Sequence, residues 1–289
     1  MDAETPPGLW LVDKPAGPTS HDVVAGVRHR LGGRRVKVGH AGTLDPFATG
    51  LLVILVGRAT RLAPYLSGLD KSYVATVQLG ATSATLDPEG PVVETGEPPA
   101  VDRVLEVLPE FLGAQRQRVP AMSAVRVDGE RLYRKARRGE TVETPEREIA
   151  IHEIRMLDDP DAPPGAVTLA VRCSKGTYLR QLAADIGERL GCGGYCRVLR
   201  RTAVGALTVE RAVAPEEVTR DGGIGPLAGL AHLPARPLSA DETAAVRHGR
   251  SVAGPAAADG PVALVAEDRL VAVAHPDGEG ALRPAVVLG

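Results

Sequence analysis

The chain is short of the residues that build several common kinds of protein. Three cysteines among 289 residues (Cys173, Cys192 and Cys196) cannot form a disulfide framework, and an odd number of thiols suits a reducing compartment. Cys192 and Cys196 would supply half of a zinc site, but no second Cys/His pair stands at ligand spacing, so no metal is expected. Aromatic residues make up 3% of the sequence, too few for an open platform on which many bases stack. The longest apolar run, Leu51 to Val56, has the length of a strand, far below the ~20 residues that span a bilayer. The N-terminus carries Asp2, Glu4, Pro6 and Pro7 in place of the basic-then-apolar order of a signal peptide, so a soluble cytoplasmic protein is expected. Positive charge is not in excess either: 34 Lys and Arg stand against 36 Asp and Glu, and only five of the 34 are lysine. At face value a net charge of -2 speaks against a polyanionic partner.

The charge is unevenly spread. Residues 1–201 hold 27 basic and 25 acidic side chains, the remainder 7 and 11. Three stretches are locally basic: 28–37, with five cations and no acid; 116–138, with eight cations including Arg134 and Arg137; and 172–201, with seven. Any one of them reads as a solvated face. Three together, flanking glycine-rich segments, favour a surface for a phosphate backbone.

Hydrophobic spacing predicts mixed elements. A short strand at Trp10–Asp13 is followed by a helix capped at Thr19 or Ser20, with Val23, Val24, Val27 and Leu31 on its apolar face and Gly32-Gly33 at its end. Leu51 to Val56 reads as a strand buried on both faces. Residues 72–79 alternate, with Tyr73, Ala75, Val77 and Leu79 on one side and a wet face opposite. Residues 101–112 have helical spacing through Val101, Val104, Leu105 and Leu108. An alternating strand at 167–173 leads into a helix bearing Leu179, Leu182, Ala183, Ile186 and Leu190. Pro234-Ala235-Arg236-Pro237 reads as a linker, and short Val/Ala-rich strands follow at 261–266, 270–274 and 285–288. Strands and helices do not alternate as βαβ units, so the expected fold class is α+β.

Most catalytic signatures are missing. There is no phosphate-binding loop of Walker type, no H-E-x-x-H and no G-x-S-x-G elbow. Gly223-Ile224-Gly225-Pro226-Leu227-Ala228 mimics a dinucleotide fingerprint, but no strand precedes it and Pro226 occupies the turn, so a loop is expected. One segment stands apart: Gly39-His40-Ala41-Gly42-Thr43-Leu44-Asp45-Pro46-Phe47-Ala48-Thr49-Gly50, directly before the most apolar strand. Its glycines allow close backbone approach, and Pro46 biases Asp45 towards an extended conformation, presenting a carboxylate at the lip of a buried strand. A plain turn with an Asx hydrogen bond fits equally well. Thr85-Leu86-Asp87-Pro88 repeats the core tetrapeptide, so these four residues alone do not mark a catalytic aspartate.

The wider pattern resembles the TruB family of tRNA pseudouridine synthases. Residues 39–52 are similar to its catalytic motif, Asp13-Lys14-Pro15-Ala16-Gly17 with Thr19-Ser20 to its N-terminal segment, and Asp70-Lys71-Ser72-Tyr73 to its tyrosine motif. Gly176-Thr177-Tyr178-Leu179-Arg180 resembles the arginine motif, and Val198-Leu199-Arg200-Arg201 the block closing the catalytic domain. Residues from Val119-Pro120 onward to Arg138 resemble an inserted thumb loop. These blocks occur in family order over roughly residues 8–205.

The resemblance implies a pseudouridine-synthase fold with a mixed, largely antiparallel sheet flanked by helices. It implies a catalytic domain over 1–235, a thumb-like insertion over about 116–148, and a small PUA-like β domain over 236–289. It implies isomerisation of a uridine in the tRNA T loop, position 55, by a monomer needing no cofactor, no membrane and no obligatory protein partner. Asp45 would attack C1′ or remove the 2′ proton. Tyr73 would stack on the flipped uracil and take the C5 proton, and Arg180 would pair with the aspartate. Leu199 would line the uracil pocket, His40 would contact RNA as the base is extruded, and Lys14 would support the active-site strand. Tyr178, Arg134 and Arg137 are further candidate RNA contacts. Viewed singly, Tyr73 is an ordinary core-strand aromatic and Arg180 an ordinary helix-surface charge. Alternatives are a non-catalytic RNA-binding module, a subunit of a guide-RNA particle, and a nucleoside hydrolase, which would need a second carboxylate to activate water.

Overall fold

The structure is a computed structural model that describes residues 7–123, 125–127, 129–138, 140, 143–254 and 259–288, without the side chains of residues 133, 136 and 137. The chain divides into two compact units, one of residues 1–44, 51–68 and 204–289, the other of 45–50 and 69–203.

The second unit is built on a sheet whose strands lie in the order Gly194–Val204, Lys71–Leu79, Ala166–Cys173, Glu146–Leu157, Gly113–Arg118. The three pairings from Lys71–Leu79 to Gly113–Arg118 are antiparallel. Thr49 and Gly50 add a parallel pairing to Arg200 and Arg201, so the sheet is mixed and largely antiparallel, as the α+β reading requires. The residue at position 50 must be glycine: its φ is +100°, and a Cβ there would lie 2.2 Å from the Arg201 carbonyl oxygen. The strand Lys71–Leu79 differs from expectation, because Thr76 on the supposed wet face is buried and meets Thr168 Oγ1 at 3.2 Å.

The helix Leu179–Leu190 buries Leu179, Leu182, Ala183 and Ile186 as predicted, and also Arg180, which is no surface charge. The other predicted helix is shorter than its spacing suggests. It runs Val101–Val107, and Pro109 then imposes a 3₁₀ turn, Leu108–Phe111. Val104, Val107 and Leu108 become the buried face, leaving Val101 and Leu105 exposed.

In the first unit, Gly8–Lys14 and Leu51–Val56 supply buried strand residues, and the helix Ser20–Leu31 packs Val23, Val24, Val27 and Leu31 against Trp10, Leu52 and Ile54. Thr19 caps this helix in a reciprocal box with Asp22. Of the expected loop, Gly223–Gly225 is irregular apart from an isolated bridge of Ile224 to Leu9, and Pro226–Gly229 forms one turn of helix. The supposed linker is a strand: Ala235–Pro237 pairs in parallel with Val262–Ala266 at the edge of a five-stranded sheet. An edge position is where a strand tolerates proline, whose missing N–H costs no ladder bond. Arg269–Pro276, Ala281–Val287 and Val252–Ala253 complete that sheet. The helix Ala240–Arg247 accompanies it, and Val246 joins Leu264, Ala272 and Leu282 in a core of its own.

Candidate active site

Asp45, Tyr73, Arg180 and Leu199 all belong to the second unit. Asp45 opens a tight turn in which the Ala48 N–H donates to its carbonyl at 3.1 Å. The Asp45 side chain keeps 36% of its surface exposed, whereas that of Arg180 keeps 3%. Arg180 Nε lies 2.9 Å from Asp45 Oδ2, an ion-pair distance without the alignment of a hydrogen bond, and Nη2 donates to Oδ1 at 3.4 Å.

The remaining donors are also engaged. Nη1 donates to Asp87 Oδ2 at 3.0 Å and to the Thr85 carbonyl at 2.9 Å, and Nη2 donates to the Met122 carbonyl at 2.8 Å. Asp87 is 3% exposed. Its other oxygen accepts from Thr85 Oγ1 and from the Glu89 N–H. The two Thr-Leu-Asp-Pro tetrapeptides thus converge on one arginine. Asp87 was not among the expected site residues, and its repeated tetrapeptide does not by itself say which arginine it meets.

Tyr73 is half-buried on the strand Lys71–Leu79, opposite Val171. Burial is the largest influence raising its pKa, and the nearby Asp45 carboxylate pushes the same way, so the phenol stays protonated at neutral pH. Arg201, 1% exposed, hydrogen-bonds the phenol and opposes that shift. Leu199 is 5% exposed, three residues beyond Cys196 on the same strand. Burial pushes the Cys196 thiol well up, with Asp45 and Asp87 adding to the effect, so this sulfur is a protonated neighbour and no nucleophile. Burial also lowers Lys71 to about 8, helped by Arg201 and Lys175.

The other predicted residues are placed as follows. Tyr178 immediately precedes the helix that carries Arg180, and the Arg147 guanidinium lies over its ring, 5.3 Å from the centroid. Arg134 is exposed on the short helix Leu132–Arg137, and the Arg137 side chain lies outside the described residues. Lys14 and His40 belong to the first unit. Lys14 is fully buried and donates to the Pro15 carbonyl at 2.7 Å, and His40 meets His21 edge-on. Among the described residues no His/Cys/Asp/Glu cluster has the make-up of a metal site, and no helix is long and apolar enough to cross a membrane.

The second unit thus brings together a partly exposed aspartate, a buried arginine on its carboxylate and a protonated tyrosine. The chain belongs to the TruB family: the profile "TruB family pseudouridylate synthase (N terminal domain)" matches residues 28–179, and "tRNA pseudouridylate synthase B C-terminal domain" matches 180–221. It is therefore an enzyme of the isomerase class. A tRNA pseudouridine synthase B of Thermobifida fusca (strain YX) is 46% identical, with 97% of this chain and 98% of the relative covered. One of Synechococcus sp. (strain WH7803) is 43% identical, with 98% and 97% covered. Among solved structures, a Cbf5-Nop10-Gar1 complex aligns with a TM-score of 0.76 and 26% identity over 98% of this chain and 85% of that one.

Proposed function

We propose that this enzyme converts one T-loop uridine of tRNA, position 55, to pseudouridine, with Asp45 as the catalytic carboxylate. The observation that carries the reading is the Arg180–Asp45 pair: a buried cation holds the carboxylate by one edge and leaves over a third of that side chain open to substrate. A guanidinium stays charged at any pH a protein survives, so Asp45 is kept ionised and aimed.

Reaching a stacked base requires extruding it, and Tyr73 with Leu199 provides an aromatic and an aliphatic wall for the flipped uracil. The ionised Asp45 then acts on the ribose, either attacking C1′ or removing the 2′ proton, and the N1–C1′ bond breaks. The uracil turns and C5 bonds to C1′, displacing Asp45 from C1′ or with return of the proton to C2′, and the proton on C5 departs as N1 gains one. A protonated Tyr73 can give its own proton to N1 and take the C5 proton in exchange. Nothing in this isomerisation consumes water or a redox equivalent.

The hydrolase alternative needs a carboxylate free to activate water. Asp87 is a second carboxylate, but both of its oxygens are occupied and it is buried, which disqualifies it as that base. Stand-alone action is the reading taken over that of a complex subunit, because relatives named tRNA pseudouridine synthase B match at 41–46% identity and the Cbf5-Nop10-Gar1 complex at 26%. Purified protein with unmodified tRNA tritiated at uracil C5 tests the reading. Wild type should release label without any added protein, while Asp45→Asn should release none above background. Equal release from both would remove Asp45 from the chemistry, and free uracil among the products would mark a hydrolase.

A further inference from the structure

Gln117 is 2% exposed on the strand Gly113–Arg118, and both ends of its amide are used on a single residue. Its Oε1 accepts from the Tyr178 N–H at 2.8 Å, and its Nε2 donates to the Tyr178 carbonyl at 3.1 Å. Tyr178 is the cap residue of the helix Leu179–Leu190 and forms no side-chain cap bond of its own. Its carbonyl also accepts from the Leu182 N–H at 3.0 Å, so the Gln117 amide grips the first turn of that helix. Across the ladder, Gln117 is the register partner of Arg147, which lies over the Tyr178 ring. Tyr178 is therefore held by its backbone from one strand and by its ring from the next.

Arg180 stands two residues further on. Its 2.9 Å contact with Asp45 depends on where the helix begins, and a backbone shift of about 1 Å at a positioning group costs roughly 10²-fold in rate. A buried amide is tolerated only when its N–H and oxygen are both satisfied. Here the two bonds go to the helix start and not to the sheet.

We propose that Gln117 is a positioning residue that sets the direction of Arg180, and through it of Asp45, by fixing the Tyr178 backbone. The proposal rests on the catalytic reading of Asp45 and Arg180. The same stretch of chain reaches Met122, whose carbonyl accepts from Arg180 Nη2, so the segment leaving this strand also touches the arginine directly.

The test compares wild type with Gln117→Met, which keeps the volume and loses both bonds, and Gln117→Glu, which keeps the acceptor and loses the donor. Single-turnover label release, tRNA binding and thermal unfolding are measured for each, with Asp45→Asn alongside. Gln117→Met should lower the single-turnover rate roughly 10- to 100-fold while tRNA affinity stays within about twofold. In an Arg180→Lys background the same change should add less than about threefold, because its effect passes through the arginine. If Gln117→Met does not fold, the same comparisons made with Gln117→Glu decide. A folded variant with the wild-type rate, or losses that multiply in the Arg180→Lys background, overturns the positioning role. If that occurs while Asp45→Asn is inactive, the positioning proposal fails alone; an active Asp45→Asn removes the catalytic reading beneath it.

Discussion

Arg180 is a cation in the first turn of a helix, where the partial positive charge of the helix terminus opposes it. It is also almost wholly buried, which costs several kcal/mol for an uncompensated charge. Two carboxylates offset both penalties, and they differ in availability: Asp87 is sealed, Asp45 open. Removing the sealed partner should be costly. Asp87→Ala is expected to destabilise the protein by about 3 kcal/mol in denaturant titration, because it leaves a buried guanidinium half-compensated. It should also slow label release by roughly 10²-fold through misaimed Arg180. Unchanged stability would mean that Asp87 contributes nothing to holding the arginine. Lys71 offers a second check at this scale. Its folded pKa of about 8 lies below the ordinary 10.5, so between these values the unfolded chain binds more protons and stability rises with pH. Lys71→Met should flatten that rise, worth up to roughly 3 kcal/mol, and should stabilise the protein at pH 7. The check is a series of denaturation midpoints from pH 7 to 10.5 for both proteins.

At the scale of elements, close approach explains what propensity does not. Gly187 lies inside the helix Leu179–Leu190, where glycine weakens helix formation, yet a Cβ there would come within 2.2 Å of the Gly193 carbonyl carbon and the Gly194 nitrogen. Gly187→Ala should therefore destabilise the protein in spite of alanine's better helix propensity. A gain in melting temperature would show that the following strand can move aside. The helix Ala240–Arg247 makes the opposite point, because its start was legible. Ser239 accepts from the Glu242 N–H while Glu242 Oε2 accepts from the Ser239 N–H, the reciprocal box that Ser-x-x-Glu announces. The two prolines of Pro234–Pro237 just before it look like punctuation until a neighbouring strand supplies the pairing. Spacing over 101–112 likewise suggested a face that Pro109 rotates out of place.

For the whole molecule, the net charge of -2 conceals the exposed basic side chains, and the structure narrows which of them can serve RNA. Arg180 and Arg201 are buried, and Arg116, Arg138 and Arg189 are paired with Glu146, Glu130 and Glu110. Arg118, Arg126, Arg131 and Arg134 remain exposed within the 116–138 stretch. Arg134→Glu should weaken tRNA binding at low salt and reduce the slope of log K against log salt by about 1. A binding isotherm series across salt concentrations measures it, and an unchanged slope would take this side chain off the RNA surface.

The sequence by itself determined the most apolar strand, the capped first helix and the family, since each is written in spacing or in a contiguous motif. The roles proposed for Asp45, Tyr73 and Arg180 rest on such motifs as well. Only the tertiary structure decided that Asp87 shares the arginine of Asp45, that Gln117 grips the start of its helix, and that Arg180 is buried. The contacts involved join residues 61 to 135 positions apart. No local pattern records which distant carboxylate or amide a guanidinium or helix terminus will meet; that is fixed when the chain packs and every buried polar group must find a partner.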